Sequence, residues 1–94
     1  MTKFVIEDNG KKGKVVLFEE EKKAGEIVFS WTKDDQLLLE HTEVNEAFGG
    51  KGYGKLLVME FVTYARNKKA KVIPMCSYAI KVFEKEVLIQ DVLA

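Results

Sequence analysis

The stretch Asn45-Glu46-Ala47-Phe48-Gly49-Gly50-Lys51-Gly52-Tyr53-Gly54-Lys55 holds four of the chain's seven glycines and separates two regular segments. Residues 37–44 before it are typical of a strand. Residues 56–68 after it lack Gly and Pro and carry apolar residues at helical spacing. Glycines let backbone approach a ligand, and the first N–H groups of a helix have no partner within that helix. Because Lys51 and Lys55 add positive charge here, the stretch is predicted to be a phosphate-binding loop.

The bulk composition predicts one small domain. The chain has 94 residues, 47% of them hydrophobic, which is enough for a single core over residues 1–94. Lys plus Arg and Asp plus Glu are each 15, and this zero net charge argues against a general nucleic-acid binder. The basic run at residues 66–71 fits a solvated helix end, where cations suit the helix dipole; a second interpretation has it attracting anionic ligands.

The sequence carries no sign of membrane insertion, disulfide bonding or metal binding. No apolar run is long enough to cross a bilayer and the N-terminus lacks the apolar core of a signal peptide, so we expect a cytoplasmic protein. The single cysteine, Cys76, excludes an intrachain disulfide and a Cys-rich zinc site. With His41 as the one histidine, no metal site is expected.

The first half of the chain predicts an antiparallel meander. Apolar or alternating segments at residues 4–6, 14–21, 26–33 and 36–44 are read as strands, with turns at residues 8–10, 22–25 and 34–35. In the third segment Ile27, Phe29 and Trp31 share one side. Short turns between consecutive strands favour antiparallel pairing.

The second half predicts two helices and one more strand. A helix over about residues 51–68 carries an apolar stripe, and residues 71–73 form a fifth strand, which should lie parallel to the fourth because a crossover helix joins them. Residues 75–78 are read as a loop and residues 79–85 as a second helix with Ala79, Val82 and Phe83 inward. Residues 86–94 fit helix or strand equally. The fold class is therefore α+β.

Two familiar phosphate motifs fit the glycine stretch poorly. Gly49-x-x-x-x-Gly54-Lys55 begins a P-loop, but Leu56 follows where a hydroxyl is needed for magnesium. The dinucleotide fingerprint G-x-G-x-x-G fails because Gly50 and Gly52 are followed by Lys55 at the position of the third glycine.

The stretch instead resembles the pyrophosphate loop of the GNAT superfamily of acyl-CoA-dependent N-acetyltransferases, whose pattern is Arg/Gln-x-x-Gly-x-Gly/Ala. Gly52 and Gly54 match its two glycines, while Gly49 stands where the family usually has Arg or Gln, a departure for which Lys51 is a candidate replacement. The order of elements also resembles the central part of that fold: antiparallel strands, glycine loop, long helix, parallel strand and short helix.

A closer resemblance is to very small GNAT-like proteins that carry three segments in a fixed order. Here these segments are His41-Thr42-Glu43-Val44, the glycine loop, and Pro74-Met75-Cys76-Ser77-Tyr78. The resemblance implies acetyl-CoA or coenzyme A as cofactor and an unidentified amine as acceptor, with the oligomeric state open. The cofactor-binding residues that it implies are Val44, Phe48, Gly49, Gly50, Lys51, Gly52, Tyr53, Gly54, Lys55, Cys76, Tyr78 and Phe83.

The resemblance also bears on catalysis. In larger members the second helix often reads Asn-x-x-Ala-x-x-x-Tyr-x-Lys, and the Tyr protonates the departing thiolate. Here Cys76 takes the place of the Asn and Phe83 that of the Tyr, so this acid is missing, and Tyr78 is a candidate replacement or a packing residue. Cys76 is a candidate nucleophile or a small buried hydrophobe. His41 is a candidate base or an ordinary hydrogen-bonded strand residue.

Three functions remain open at this point. The first is an N-acetyltransferase that uses acetyl-CoA, directly or through Cys76. The second is a non-catalytic module that binds CoA or acyl-CoA, which the missing hydroxyl at Phe83 and the short chain favour. The third is an interaction domain that uses a sheet edge or the basic helix end. No nucleic acid and no membrane is expected as a partner.

Overall fold

The computed structural model describes residues 1–33 and 35–94 and consists of one sheet with helices packed against it. The antiparallel strands β1 to β4 are followed by a parallel strand β5, in the sheet order β1-β2-β3-β4-β5. This confirms the α+β arrangement predicted from the sequence. In chain order the elements are β1 (Thr2–Asp8), β2 (Lys12–Glu19), β3 (Lys22–Lys33), β4 (Gln36–Val44), a 3₁₀ helix (Glu46–Phe48), α1 (Tyr53–Asn67), β5 (Lys71–Pro74), α2 (Ser77–Lys85) and a second 3₁₀ helix (Val87–Val92).

The long helix α1 lies across one face of the sheet and forms the core with it. The apolar stripe predicted for this helix is fully buried, and it packs against inward side chains of β2, β3 and β4, among them Leu17, Phe29 and Leu39. The ring centroids of Phe29 and Phe61 are 5.3 Å apart at the centre of this contact. The buried residues of the stripe are Gly54, Leu57, Val58, Phe61, Val62 and Ala65.

The turn between β2 and β3 differs from the prediction. The prediction placed it at residues 22–25, but those residues belong to β3, and Ala24 and Gly25 are buried. The chain reverses instead at Glu20 and Glu21, which adopt positive φ angles of 50° and 71°. Two residues with positive φ match the right-handed twist of a tight hairpin, which decides the turn position here. Of the predicted turn at residues 34–35, Asp34 lies outside the described residues.

The ladder between β4 and β5 is short, and its end creates space. Leu39 and Pro74 are the last paired residues, and the Met75 N–H donates to the Leu39 carbonyl at 2.9 Å. Beyond this bond β4 continues to Val44, while the chain after β5 turns into α2. The cleft described below lies between these diverging segments and the start of α1.

The C-terminal segment, undecided from the sequence, forms a 3₁₀ helix that returns to the sheet. Leu93 makes an isolated parallel bridge to Val72, next to β5. The Arg66 guanidinium donates to both oxygens of Asp91 at 2.6 and 3.2 Å, and to the Leu88 carbonyl. The basic run at the end of α1 is therefore partly used to hold this segment. No helix in the described part of the chain is long and apolar enough to span a membrane.

Candidate functional site

A cleft of about 360 Å³ opens where β4, the glycine loop and the starts of both α-helices meet. The lining includes eight of the residues predicted to bind cofactor and one that was not predicted to bind it, Thr42. Lys51, Lys55, Cys76 and Phe83 are not among the lining residues. Those that line the cleft are Thr42, Val44, Phe48, Gly49, Gly50, Gly52, Tyr53, Gly54 and Tyr78.

The glycine loop leads into the N-terminus of α1, which lies at this cleft and has no side-chain cap. Gly52 is the N-cap residue with φ +77°, and Gly50 has φ +80°, a region that side-chain-bearing residues rarely adopt. No side chain caps the helix, and its first turn contains no acidic residue. The N–H groups of this turn and the positive end of the helix dipole therefore remain available to an anion in the cleft.

Gly54 has a different role, which is to make room for Tyr78. A Cβ added at Gly54 would lie 2.7 Å from the Tyr78 hydroxyl oxygen and 2.8 Å from the adjacent ring carbon. The phenol of α2 thus lies directly on the first turn of α1, and its side chain remains 42% exposed in the cleft. This places one hydroxyl, from Tyr78, beside the open helix end.

The two lysines of the loop are engaged by carboxylates. The Lys51 ammonium lies 3.1 Å from both Glu19 oxygens, and the Tyr53 hydroxyl donates to the same carboxylate. Those hydrogen bonds, from Tyr53 first and then Lys51, lower the pKa of Glu19, and Glu19 in turn raises the pKa of Tyr53. Lys55 pairs with Glu86. The positive charge that the sequence predicted for the loop is therefore largely balanced within the protein.

Glu19 also fixes the shape of the loop. The Lys51 ammonium lies 5.5 Å from the ring centroid of Phe48 and 5.8 Å from that of Tyr53, and the two rings stack with centroids 6.3 Å apart. A carboxylate at the end of β2 thereby ties the loop to the β2–β3 hairpin. The sequence carries no signal for this role, because Glu19 is separated from Lys51 by 32 residues.

Cys76 is the N-cap of α2. Its sulfur accepts the N–H of Ala79 at 3.4 Å and lies 3.5 Å from the Thr42 hydroxyl oxygen, across the gap where β4 and β5 diverge. The thiol is half-buried and packs against the core. This position suits a structural cap of α2 and also brings the sulfur next to Thr42, a residue that lines the cleft.

The structure places His41 apart from Cys76. A bulge in β4 pairs Val28 with His41 and Phe29 with Leu39, which leaves Glu40 as the extra residue. The alternation of buried side chains reverses there, so Thr42 and Val44 line the cleft while His41 is exposed. The His41 Nε2 lies 3.8 Å from a Glu43 carboxylate oxygen. No hydrogen bond joins His41 to Cys76 in the described part of the chain, and the catalytic role of His41 stays a prediction.

Phe83 lies in the core rather than in the cleft. Its side chain is 2% exposed and packs with Ala79 and Val82 of the same helix face. A direct cofactor contact at Phe83 thus finds no support in its position. The hydroxyl that the resemblance places at this position in larger proteins has no counterpart there. Two phenols line the cleft, Tyr53 and Tyr78, and the Tyr53 hydroxyl is bonded to Glu19.

The chain is similar to a family model and to solved structures. A family model described as a GCN5-related N-acetyl-transferase matches residues 4–92. The sequence finds no significant match among curated proteins. A GCN5-like protein from Staphylococcus aureus, solved by NMR, has a TM-score of 0.70 and 31% identity; the alignment covers 96% of this chain and 87% of that chain.

More distant structures share the fold. A GNAT family acetyltransferase from Elizabethkingia anophelis, solved with acetyl-CoA bound, has a TM-score of 0.74 and 12% identity, over 89% of this chain and 73% of that chain. GCN5 from Tetrahymena has a TM-score of 0.68 and 21% identity, over 83% of this chain and 51% of that chain. The alignment therefore spans about half of the Tetrahymena chain.

Proposed function

Since the chain belongs to the GCN5-related N-acetyltransferase family, we propose that it transfers the acetyl group of acetyl-CoA to an amine. The proposal rests chiefly on one observation: the uncapped N-terminus of α1, entered through Gly50 and Gly52 with positive φ, opens into a cleft of about 360 Å³. The acceptor amine remains unidentified, and the single-domain organisation over residues 1–94 and the cytoplasmic location stay predictions.

Two parts of the cleft would bind different parts of the cofactor. The N–H groups of the first turn of α1 would hold the pyrophosphate, because they are free and lie at the positive end of the helix dipole. The apolar walls, Val44, Phe48 and the Tyr78 ring, suit the uncharged arm of the cofactor. Lys51 and Lys55 would contribute less than free cations because each is paired with a glutamate.

Two chemical routes are open at the gap between β4 and β5. In direct transfer, the amine attacks the thioester carbonyl and the CoA thiolate leaves, taking up a proton from the Tyr78 hydroxyl, which lines the cleft. The nitrogen releases a proton to solvent as the amide forms, and solvent returns a proton to the Tyr78 phenolate. In the covalent route, the Cys76 thiolate attacks first, CoA leaves, and the amine then attacks the new thioester on the protein. The contact that supports this route is the position of the Cys76 sulfur at the start of α2, 3.5 Å from the hydroxyl oxygen of Thr42, which lines the cleft.

A second function, a non-catalytic CoA-binding module, has one observation in its favour. Phe83 offers no hydroxyl and is buried, so the acid used in larger family members is missing. The two functions differ in a measurable way: a binding module holds CoA and acetyl-CoA equally and consumes neither in the presence of amines.

The loop is tested by replacing Gly52 with Val. A β-branched residue is strongly disfavoured at φ +77°, so the turn should open and the N–H groups of α1 should lose their alignment. We expect CoA affinity to fall by about tenfold or more, which corresponds to about 1.4 kcal/mol, in titration calorimetry.

Gly10→Val is the matched control for this variant. Gly10 has φ +89° and equally open space around a would-be Cβ, but it lies in the β1–β2 turn and does not line the cleft. Both variants should lose similar stability, and Gly10→Val should bind CoA like the parent. An unchanged CoA affinity in a folded Gly52→Val variant would contradict the proposed site.

Mass spectrometry of the intact protein after incubation with acetyl-CoA distinguishes the two routes. The covalent route leaves one acetyl group on the parent and none on Cys76→Ser or Cys76→Ala. Serine keeps an oxygen cap for the Ala79 N–H, whereas Ala removes it and should cost about 1 kcal/mol of stability. Full turnover with an amine in Cys76→Ser, without an adduct on the parent, would eliminate the covalent role and leave direct transfer.

A further inference from the structure

The strand β1 presents an open edge of the sheet. It is the terminal strand in the sheet order, and its pairing with β2 runs over all seven residues without a bulge. Its sequence contains no Pro or Gly. Open edges are usually blunted by short strands, prolines or bulges, because unpaired N–H and C=O groups recruit further strands. β1 has no proline and no bulge, and its charged side chains are Lys3, Glu7 and Asp8.

Two hydrogen bonds show which backbone groups of β1 point outward. The Asn9 N–H donates to the Lys12 carbonyl at 3.0 Å, and the Glu20 N–H donates to the Met1 carbonyl at 3.1 Å. Odd-numbered residues therefore direct their backbone groups toward β2. The even-numbered residues direct theirs to the free edge, and in β1 these are Thr2, Phe4, Ile6 and Asp8.

The sequence of β1 is self-complementary when it is paired with itself in the antiparallel direction. We propose that β1 is the docking surface for β1 of a second copy of this chain, related by a two-fold axis at Val5. Thr2 then pairs with Asp8 and Phe4 with Ile6 of the other copy, so all the outward backbone groups face one another. Lys3 meets Glu7 twice, once on each side of the axis.

Both faces of the joined strands support this register. Lys3, Val5 and Glu7 lie on the face away from α1, where Val5 is 37% exposed and the axis would bring two copies of it together. The Lys3 ammonium is held on this face, 5.9 Å from the ring centroid of Phe18. On the other face Phe4 and Ile6 are partly buried and packed on the core, so pairing would extend that core across the axis.

A shift of the register by two residues is less favourable. Such a shift still lets the even-numbered residues of the two strands face one another. However, Lys3 then lies opposite Val5 or opposite no residue of β1, and fewer of the outward-facing residues are paired. Opposite charges directly across an antiparallel pair are stabilising, and like charges are destabilising. The charges of β1 thus select one register for a second copy.

The dimer should be weak and concentration-dependent, because one seven-residue strand is much smaller than the roughly 20–30 residues that each partner contributes to a standard interface. The cleft is lined by β4, the glycine loop, α1 and α2, and no β1 residue lines it. The dimer and the proposed acetyltransferase site are therefore independent, and either can fail without the other.

The test is sedimentation velocity of the full chain up to millimolar concentration. The parent should pass from monomer to dimer. Lys3→Glu and Glu7→Lys each replace two attractive pairs by two repulsive ones, so each should weaken the dimer by roughly tenfold. The double variant Lys3→Glu/Glu7→Lys restores opposite charges at both pairs and should dimerise like the parent.

Two control variants carry the same changes of charge elsewhere. Lys22→Glu, at the start of β3, and Glu84→Lys, on α2, are exposed positions outside β1 and should dimerise like the parent. Circular dichroism verifies that each variant is folded. A parent that stays monomeric at every concentration overturns the proposal. A dimer that is equally stable in Lys3→Glu and Glu7→Lys, or that does not return in the double variant, also overturns it.

Discussion

Gly54 and Tyr78 contact each other in the lining of the cleft. The contact is possible because glycine has no Cβ. Glycine in a helix is less stable than alanine by up to about 1 kcal/mol, so a functional reason for it is expected. The reason here is the phenol of Tyr78, which leaves no space for a Cβ at this turn.

Replacing Gly54 with Ala should therefore act on the cleft rather than on the fold. The added methyl displaces the Tyr78 ring, which is 42% exposed and can rotate into solvent, while the helix gains propensity. We expect the melting temperature to stay near that of the parent and CoA affinity to fall severalfold. If displacement of the ring is the cause, the same Gly54→Ala change made in a Tyr78→Ala background should have little further effect on CoA affinity.

At the scale of elements, the β2–β3 hairpin and β4 each carry a local irregularity that determines where side chains point. Glu20 and Glu21 form a two-residue turn with positive φ at both positions. In β4 the bulge at Glu40 moves each following side chain to the opposite face of the sheet. Thr42 rather than His41 therefore lines the cleft. Both irregularities depend on pairing with β3, which lies between these strands.

The hairpin turn offers a stabilising substitution. Side-chain-bearing residues with positive φ are strained by about 1–2 kcal/mol each, and Asn-Gly is the preferred pair for such a turn. Glu20→Asn with Glu21→Gly should raise the free energy of unfolding by roughly 1 kcal/mol in urea denaturation. Gly25→Asn is the informative comparison: if the turn lay at residues 22–25 it would be tolerated, whereas the buried Gly25 should make it destabilising.

At the scale of the whole molecule, one carboxylate joins the ends of three elements. Asp8 of β1 accepts from the Trp31 indole N–H at 3.0 Å and from the Tyr64 hydroxyl of α1. Burial by itself raises the pKa of Asp8, but the hydrogen bonds from Tyr64, Gly10 and Trp31 outweigh it and hold the pKa below the ordinary 3.8. Burial, followed by the bond to Asp8, raises the pKa of Tyr64 to about 12.

These shifts predict how stability changes with pH. Because the folded pKa of Tyr64 lies above its ordinary value of 10.0, its contribution is complete below pH 10 and is lost as the pH rises toward 12. The contribution of Asp8 is complete above its ordinary pKa of 3.8 and is lost as the pH falls through its lowered folded value. Tyr64→Phe should cost roughly 1 kcal/mol at neutral pH.

Urea unfolding of the parent and of Tyr64→Phe across the alkaline range measures this effect. Lysines titrate in the same range, so the quantity of interest is the difference between the two proteins. It should shrink between pH 10 and 12, the interval between the ordinary and the raised pKa of Tyr64. A difference that is constant with pH would show that the hydroxyl contributes by packing alone. Thr63→Val, an exposed change in the same helix, serves as the control.

Local patterns in the sequence were sufficient for the order of the strands and α-helices and for the position of the glycine loop. The apolar spacing of α1 repeats with the helical period, so its buried stripe follows from the sequence alone. The parallel placement of β5 follows from a strand joined to β4 through a crossover helix. The position of the loop follows because the cluster of glycines lies between a segment with strand periodicity and one with helix periodicity.

The tertiary structure alone decided the contacts between residues that are far apart in the chain. Glu19 reaches Lys51 and Tyr53, and Tyr78 reaches Gly54, only because the sheet and the two α-helices bring them together. The bulge that turns His41 away from the cleft arises from the pairing of β4 with β3. The sequence by itself determined the five strands, the two α-helices and their order, but not the two 3₁₀ helices, because periodicity over several residues is a local property. The partners of a side chain, and the face of the sheet on which it lies, depend on packing and strand register, which exist only in the folded chain.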